Sequence, residues 1–261
     1  MFDTMLDKKQ VMGILNVTPD SFSDGGRYVD PAQAVEHARL LIQEEADILD
    51  IGGQSTRPGY VEVSAEEEIA RVIPVIKEIR RFSAIPISVD TYFPKVAAAA
   101  FEAGASIIND VRGLDTPGMK ELVHQYQPPV IIMHSRKRKR EWTAAQDIQR
   151  FYEEKLEECE KLGLTREKIC FDPGVGFGKT TEENIEMIRT PKAFIMPGIA
   201  SLYGVSRKRV IGHLTGENEP ANRDYGTISA SLCVLEKGVD IVRVHNVKGM
   251  KDALKVWETC H

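Results

Sequence analysis

Short apolar runs alternate with longer amphipathic ones along the chain. Val11–Val17 (VMGILNV) is an apolar run that stops at Thr18-Pro19-Asp20, a turn signal. Over 31–46, Ala34, Ala38, Leu41 and Ile42 share one helical face with Glu and Gln opposite, which predicts a helix. The pair of signals then recurs. Strands are predicted at 48–53, 86–91, 106–111, 130–134, 169–172, 201–206 and 239–245, and helices at 64–82, 94–103, 117–127, 145–162, 181–189, 222–237 and 249–259. Ser64 followed three residues later by Glu67 has the spacing of a capping box. The strand segments are near-continuous apolar runs, as in a parallel sheet covered on both faces. Eight strand-then-helix units in 261 residues predict a single (β/α)8 TIM barrel spanning 1–261. An open doubly wound sheet is the alternative, and it would need more than one switch point to gather the polar residues described next.

Polar residues recur where the strands end. The strand segments finish at Asn16, Asp50, Asp90, Asn109-Asp110, His134, Asp172, Ser206-Arg207-Lys208, and Arg243 with His245. One polar strand end can be a cap for the next helix. Eight in succession, mixing carboxylates, amides and cations, point to a shared site, because in a barrel these ends form one mouth. Asp90, Asn109 and Asp172 offer acceptors and amide donors suited to a fused nitrogen heterocycle with amino and oxo groups. A buried carboxylate must be hydrogen-bonded or paired, so a ligand or Lys208 has to satisfy it. Arg243, His245 and Asn16 read as an anion seat for phosphate or diphosphate. Mg²⁺ held by few protein atoms, the Asn16 amide oxygen among them, would complete it. The stretch Pro173–Thr180 (PGVGFGKT) resembles a phosphate loop, but its first glycine comes one residue too late for GxxxxGK[ST]. Its glycines are better suited to letting backbone approach a flat ligand, with Phe177 as an aromatic wall.

Composition narrows the setting. Lys+Arg number 34 against 39 Asp+Glu, a net charge of −5, which argues against a nucleic-acid or anionic-membrane partner. There is no run of 18 apolar residues, and the start lacks the order of a signal peptide. The 4 cysteines, Cys159, Cys170, Cys233 and Cys260, are widely spaced and read as free thiols of a reducing, cytoplasmic compartment. The basic run Arg136–Arg140 (RKRKR) is read as a solvated loop, with a nucleic-acid patch as the rival. Asp50 is read as a backbone-bonded residue outside the site, Asp110 as a cap, and His134 as secondary.

Taken together, the motifs resemble the dihydropteroate synthases. The resemblance runs from Gly13 to His245 and is carried by Asn16–Gly26 (NVTPDSFSDGG), Asp50–Gly59 (DIGGQSTRPG), Ser88–Thr91 (SVDT), Ile108–Val111 (INDV), Asp172–Lys179 (DPGVGFGK), Gly204–Lys208 (GVSRK) and Arg243–His245 (RVH). It implies a (β/α)8 barrel that condenses 6-hydroxymethyl-7,8-dihydropterin diphosphate with 4-aminobenzoate to 7,8-dihydropteroate and diphosphate, a step of folate synthesis. On that resemblance the pterin sits on Asp90, Asn109, Asp172 and Lys208, and the diphosphate on Asn16, Arg243 and His245, with Mg²⁺ at Asn16. Aminobenzoate, with which sulfonamides compete, contacts Thr56, Pro58, Phe177 and Lys208. Arg57, Arg209 and Val244 complete the substrate-binding set, and Asp90, Lys208, Arg243 and His245 are the catalytic residues. The family also implies a homodimer, and loops after the first two strands, with Asp20 and Asp24 in the first, that order over the substrates.

Four departures stand out. Gln54 replaces a usual Glu, Arg209 a common Ser and Asn246 a usual Asp, while Ser135–Arg140 replaces a common Gly-Thr-Pro loop. They bear on kinetics more than on identity. Two rivals remain at this stage. A corrinoid methyltransferase barrel would share the pterin acceptors but have no use for the diphosphate seat, and a non-catalytic pterin-binding relative would be expected to lose Lys208 or Arg243.

Overall fold

A computed structural model describes residue 2 and residues 8–18, 31–54, 62–139 and 141–260. Eight parallel strands, β1 (Gln10–Asn16), β2 (Ile48–Gly52), β3 (Ile87–Asp90), β4 (Ile107–Asp110), β5 (Val130–Met133), β6 (Ile169–Asp172), β7 (Ala200–Tyr203) and β8 (Ile241–Val244), pair in chain order. Because β8 returns to β1 with Arg243 opposite Met12, the sheet closes. The chain therefore forms the expected (β/α)8 barrel, and the open sheet is excluded.

Helices α1 (Pro31–Gln43), α2 (Ala65–Arg80), α3 (Pro94–Ala103), α4 (Met119–Tyr126), α5 (Ala144–Lys161) and α6 (Thr181–Arg189) follow the first six strands in turn. After β7 come two, α7 (Arg209–Thr215) and α8 (Asp224–Glu236), and α9 (Val247–Cys260) follows β8. Helix α7 was not foreseen. Its seven residues, RVIGHLT, contain a glycine and end at left-handed Gly216, so they carry too little periodicity to register. The box predicted at Ser64 is half formed. Ser64 Oγ accepts from the Glu67 N–H at 3.1 Å, but the Glu67 carboxylate pairs with Arg71 instead of turning back to the cap. Complete capping boxes stand at Thr143/Gln146 on α5 and Thr180/Glu183 on α6.

Period-two alternation sorts strand residues into two layers. Leu49, Ile51, Val89, Ile108, Phe171 and Val242 face out and pack with Leu41, Val75, Ile76 and Met250 of the helices. Each such side chain contributes about 1.5–3 kcal/mol on burial. Met12, Ile48, Ile107, Ile131, Cys170, Leu202 and Ile241 face in and fill the lower barrel, with Phe2 joining them. One alternation further along the same strands the inward positions turn polar, which opens a polar chamber above an apolar floor.

Candidate active site at the carboxyl ends of the strands

Two residues beyond the inner apolar layer stand Asp50 after Ile48, Asn109 after Ile107, Asp172 after Cys170 and Arg243 after Ile241, with Asp90 on the inward face of β3. All except Arg243 are buried. Their neighbours along each strand point away. Asp110 accepts from the N–H groups of Arg112 and Leu114 and shapes the turn after β4, as a cap should.

Arg243 organises the chamber. Its Nε donates to Asp50 Oδ2 at 2.5 Å and one terminal nitrogen to Asp90 Oδ2 at 3.1 Å, while Asn109 Nδ2 donates to the same Asp50 oxygen at 3.1 Å. Burial, and then the neighbouring Asp50 charge, push Asp90 well above the usual carboxylate range, and Arg243 opposes them. Burial works against the charge of Arg243 too, but Asp50 and Asp90 hold it on the guanidinium. The second oxygens, Oδ1 of Asp50 and of Asp90, are buried with no hydrogen-bond partner among the described residues. Such acceptors are costly alone and are what a ligand rich in N–H donors would satisfy.

The loop after β6 supplies the opposite wall. Asp172 Oδ1 accepts from the Gly174 N–H at 2.7 Å. Lys208 reaches across from the β7 loop, donating to the Val175 carbonyl at 2.5 Å, with its ammonium 4.7 Å from the centre of the Phe177 ring. A β-carbon on Gly176 would stand 3.2 Å from Lys208 Cδ at a backbone φ of 86°, so glycine is what lets the lysine lie there. Burial lowers Lys208 to about 8, with Asp172 resisting and Arg243 adding to the fall. At the end of β8, His245 Nδ1 lies 2.9 Å from Ser206 Oγ, which accepts from the His245 backbone N–H at 3.2 Å. Nδ1 is thereby tied to Ser206, which makes Nε2 the ring atom that can face an anion.

The known proteins that this chain resembles agree with one another. The family model described as pterin binding enzyme matches residues 12–245. The chain belongs to that family. A dihydropteroate synthase of Streptococcus pyogenes serotype M6 is 44% identical over 248 residues, 94% of this chain and 93% of that one. A solved structure of Xanthomonas albilineans dihydropteroate synthase with 4-aminobenzoic acid superposes with a TM-score of 0.92 at 43% identity, covering 98% of this chain and 94% of the other. The same enzyme in complex with 7,8-dihydropteroate gives 0.90 at 41% identity with the same coverage.

Within this pterin-binding enzyme, the structure gathers Asp90, Asn109, Asp172, Phe177, Lys208, Arg243 and His245 around the mouth, with Asn16 at the end of β1. Two expected positions stand apart from this cluster. Val244 faces outward into the strand–helix core, because it is one residue out of phase with Arg243, so its side chain does not line the chamber. Arg209 is exposed on the first turn of α7 and does not join the cluster. Arg243, expected in the anion seat, has two of its nitrogens on the aspartates. Thr56, Arg57 and Pro58, like Asp20 and Asp24, lie outside the described residues.

Asp50 is the site residue that sequence reasoning passed over. The signal was there: it shares the phase of Ile48 on β2, so it had to face inward. Two of the departures also have a structural reason, because each trades an acceptor for a donor. Gln54 accepts from the Val63 N–H at 2.7 Å and donates to the Tyr92 hydroxyl at 2.6 Å, which passes its own hydrogen to Glu62 at 2.8 Å. Asn246 donates to Asp224 at 3.3 Å, and Asp224 holds Arg207 by two bonds of 2.7 and 2.8 Å. A carboxylate could make neither donation. That grip steadies Arg207 at φ 57°, a left-handed turn just before Lys208.

Proposed function

We propose that the barrel mouth condenses 6-hydroxymethyl-7,8-dihydropterin diphosphate with 4-aminobenzoate, giving 7,8-dihydropteroate and diphosphate in folate synthesis, with residues 1–261 as one catalytic unit. The observation that carries this reading is the pair of buried oxygens on Asp50 and Asp90, unpartnered among the described residues and held in place by Arg243. They suit the amino and ring N–H donors of a pterin, and the Streptococcus pyogenes and Xanthomonas albilineans relatives are dihydropteroate synthases.

In the reaction the C–O bond between the pterin methylene and the diphosphate breaks, and the diphosphate keeps the electron pair. The aniline nitrogen of aminobenzoate forms the C–N bond and releases one proton. Asp90, Asn109 and Asp172 hold the pterin in the orientation that the condensation needs. His245 Nε2 faces the departing diphosphate. Lys208, charged at pH 7, steers the acceptor between itself and Phe177. The amine of aminobenzoate is neutral at that pH and needs no strong base. Fixing two reactants in line supplies much of the rate, with effective molarities on the order of 10⁵ M.

Mg²⁺ fits this mouth only as a companion of the diphosphate. Among the described residues no cluster of three or more His, Cys, Asp or Glu could hold a metal ion, and the donor offered is the neutral amide of Asn16. That is the donor set of a Mg²⁺ that keeps water and phosphate ligands. When bound there it would neutralise charge on the leaving group. The reading also includes a homodimer and a reducing, cytoplasmic setting. All 4 cysteines are free, and no helix of the described residues is long and apolar enough to cross a membrane. The test is to detect 7,8-dihydropteroate by mass spectrometry from the two substrates with Mg²⁺. Chelation is expected to lower its formation at least about tenfold, reversibly. No product with Mg²⁺ present would overturn the reading.

A further inference from the structure

Behind the mouth lies a chain of charged groups that the reaction as written does not use. His134 at the end of β5 and Asp147 on α5 are both buried, and His134 Nε2 stands 2.8 Å from Asp147 Oδ2. On the other side of the ring, Lys179 Nζ lies 2.9 Å from His134 Nδ1 and 2.8 Å from the His134 carbonyl. An ammonium can only donate, so Nδ1 is the acceptor and Nε2 carries the hydrogen that goes to Asp147. Arg136, from the basic run, closes the row with its guanidinium 3.7 Å from Asp147 Oδ1 and 3.4 Å from the Asp147 carbonyl. Burial and the adjacent lysine keep His134 neutral, its pKa lowered from the ordinary value.

Lys179 stands near the end of the loop that forms the acceptor wall, just before the N-cap Thr180. A β-carbon on Gly174 would fall 2.2 Å from the His134 carbonyl and 3.2 Å from Lys179 Nζ, so the loop lies directly against the strand end that the lysine grips. The same loop supplies the Val175 carbonyl and the Phe177 ring that hold Lys208, and burial raises its Asp172 above the ordinary value, with Lys208, Lys179 and Arg243 opposing. Lys179 touches no expected substrate position. We propose that Lys179 is a positioning residue for the condensation: by bonding both the ring and the carbonyl of His134, it sets the β6 loop so that Val175 and Phe177 hold Lys208 in register with the acceptor. This rests on the synthase reading. Burial lowers Lys179 itself to about 7, with Asp172 drawing it back up.

The experiment compares steady-state kinetics and pH profiles of the wild type, Lys179→Met and Lys179→Arg. Lys179→Met is expected to raise KM for 4-aminobenzoate about tenfold. Asp172 faces Lys208 from the β7 loop, Lys179 from its own loop and Arg243 from β8. Losing one of those cations raises its pKa, so the acid limb of kcat/KM for the pterin should move up by about half a unit. Lys179→Arg keeps the charge but not the donor geometry, so KM should rise and the limb should stay. If Lys179→Met fails to fold, the arginine variant alone decides through KM. Unchanged KM values, or a uniform loss of kcat in step with the folded fraction and an unmoved limb, would overturn the proposal. Absence of turnover in the wild type would instead sink the synthase reading. The lysine would then be judged by calorimetry, from the same acid-limb shift in binding of 6-hydroxymethylpterin.

Discussion

At the scale of single residues, Arg243 decides whether two buried carboxylates can coexist. Asp50 is fully buried and Asp90 is 8% exposed, and each leans on the same guanidinium. Removing it leaves both without a countercharge, a change that costs roughly 3 kcal/mol when a buried pair is broken. The sign with pH follows from Asp90, whose folded pKa is already raised and would rise further in Arg243→Met. An acid with a raised folded pKa binds more protons folded than unfolded, so stability falls as pH climbs through that folded value. Urea unfolding should therefore find the variant roughly 3 kcal/mol less stable than wild type at pH 9.5, above the wild-type Asp90 value of about 8, and less affected at pH 6. An equal loss at both values would mean that Arg243 acts by packing alone. Residue types and spacing made most of this cluster legible in the sequence. Asp50 was missed because its neighbours Leu49 and Ile51 looked like a core, whereas phase along the strand is what assigns direction.

At the scale of elements, the loop after β6 is where backbone conformation limits function. Gly174 has φ 70° and no space for a side chain against the His134 carbonyl. Gly174→Ala must therefore shift the loop, and with it Val175, Phe177 and the seat of Lys208. Its kcat/KM should fall at least about a hundredfold, on the scale of a misplacement near 1 Å, while circular dichroism of the barrel stays native. Near-wild-type activity would mean that the loop does not set the acceptor wall. The glycine-rich sequence of this loop announced close backbone approach but not what it approaches, since the His134 carbonyl comes from another strand. Similarly, Val244 read as part of a binding motif because Arg243 and His245 flank it, and only its outward phase removes it.

At the scale of the molecule, eight short apolar runs were enough to give the barrel, because closure asks only for parallel strands covered outside and filled inside. What pattern could not give were contacts made between loops: Gln54 with Tyr92 and Glu62, Asn246 with Asp224, and Lys179 with His134. Each depends on which groups donate and which accept across distant segments. The basic run is another case. Arg136 pairs with Glu154 and Arg138 with Glu183, and Lys139 lies over Trp142, so these residues tie the β5 loop to its helices. The central claim is that one mouth binds both substrates and joins them. Diphosphate release from the dihydropterin diphosphate, measured with and without 4-aminobenzoate in Mg²⁺, tests it most directly. The account predicts release that requires aminobenzoate and matches dihydropteroate formed mole for mole. Release at the same rate without aminobenzoate, or none with it, would contradict it.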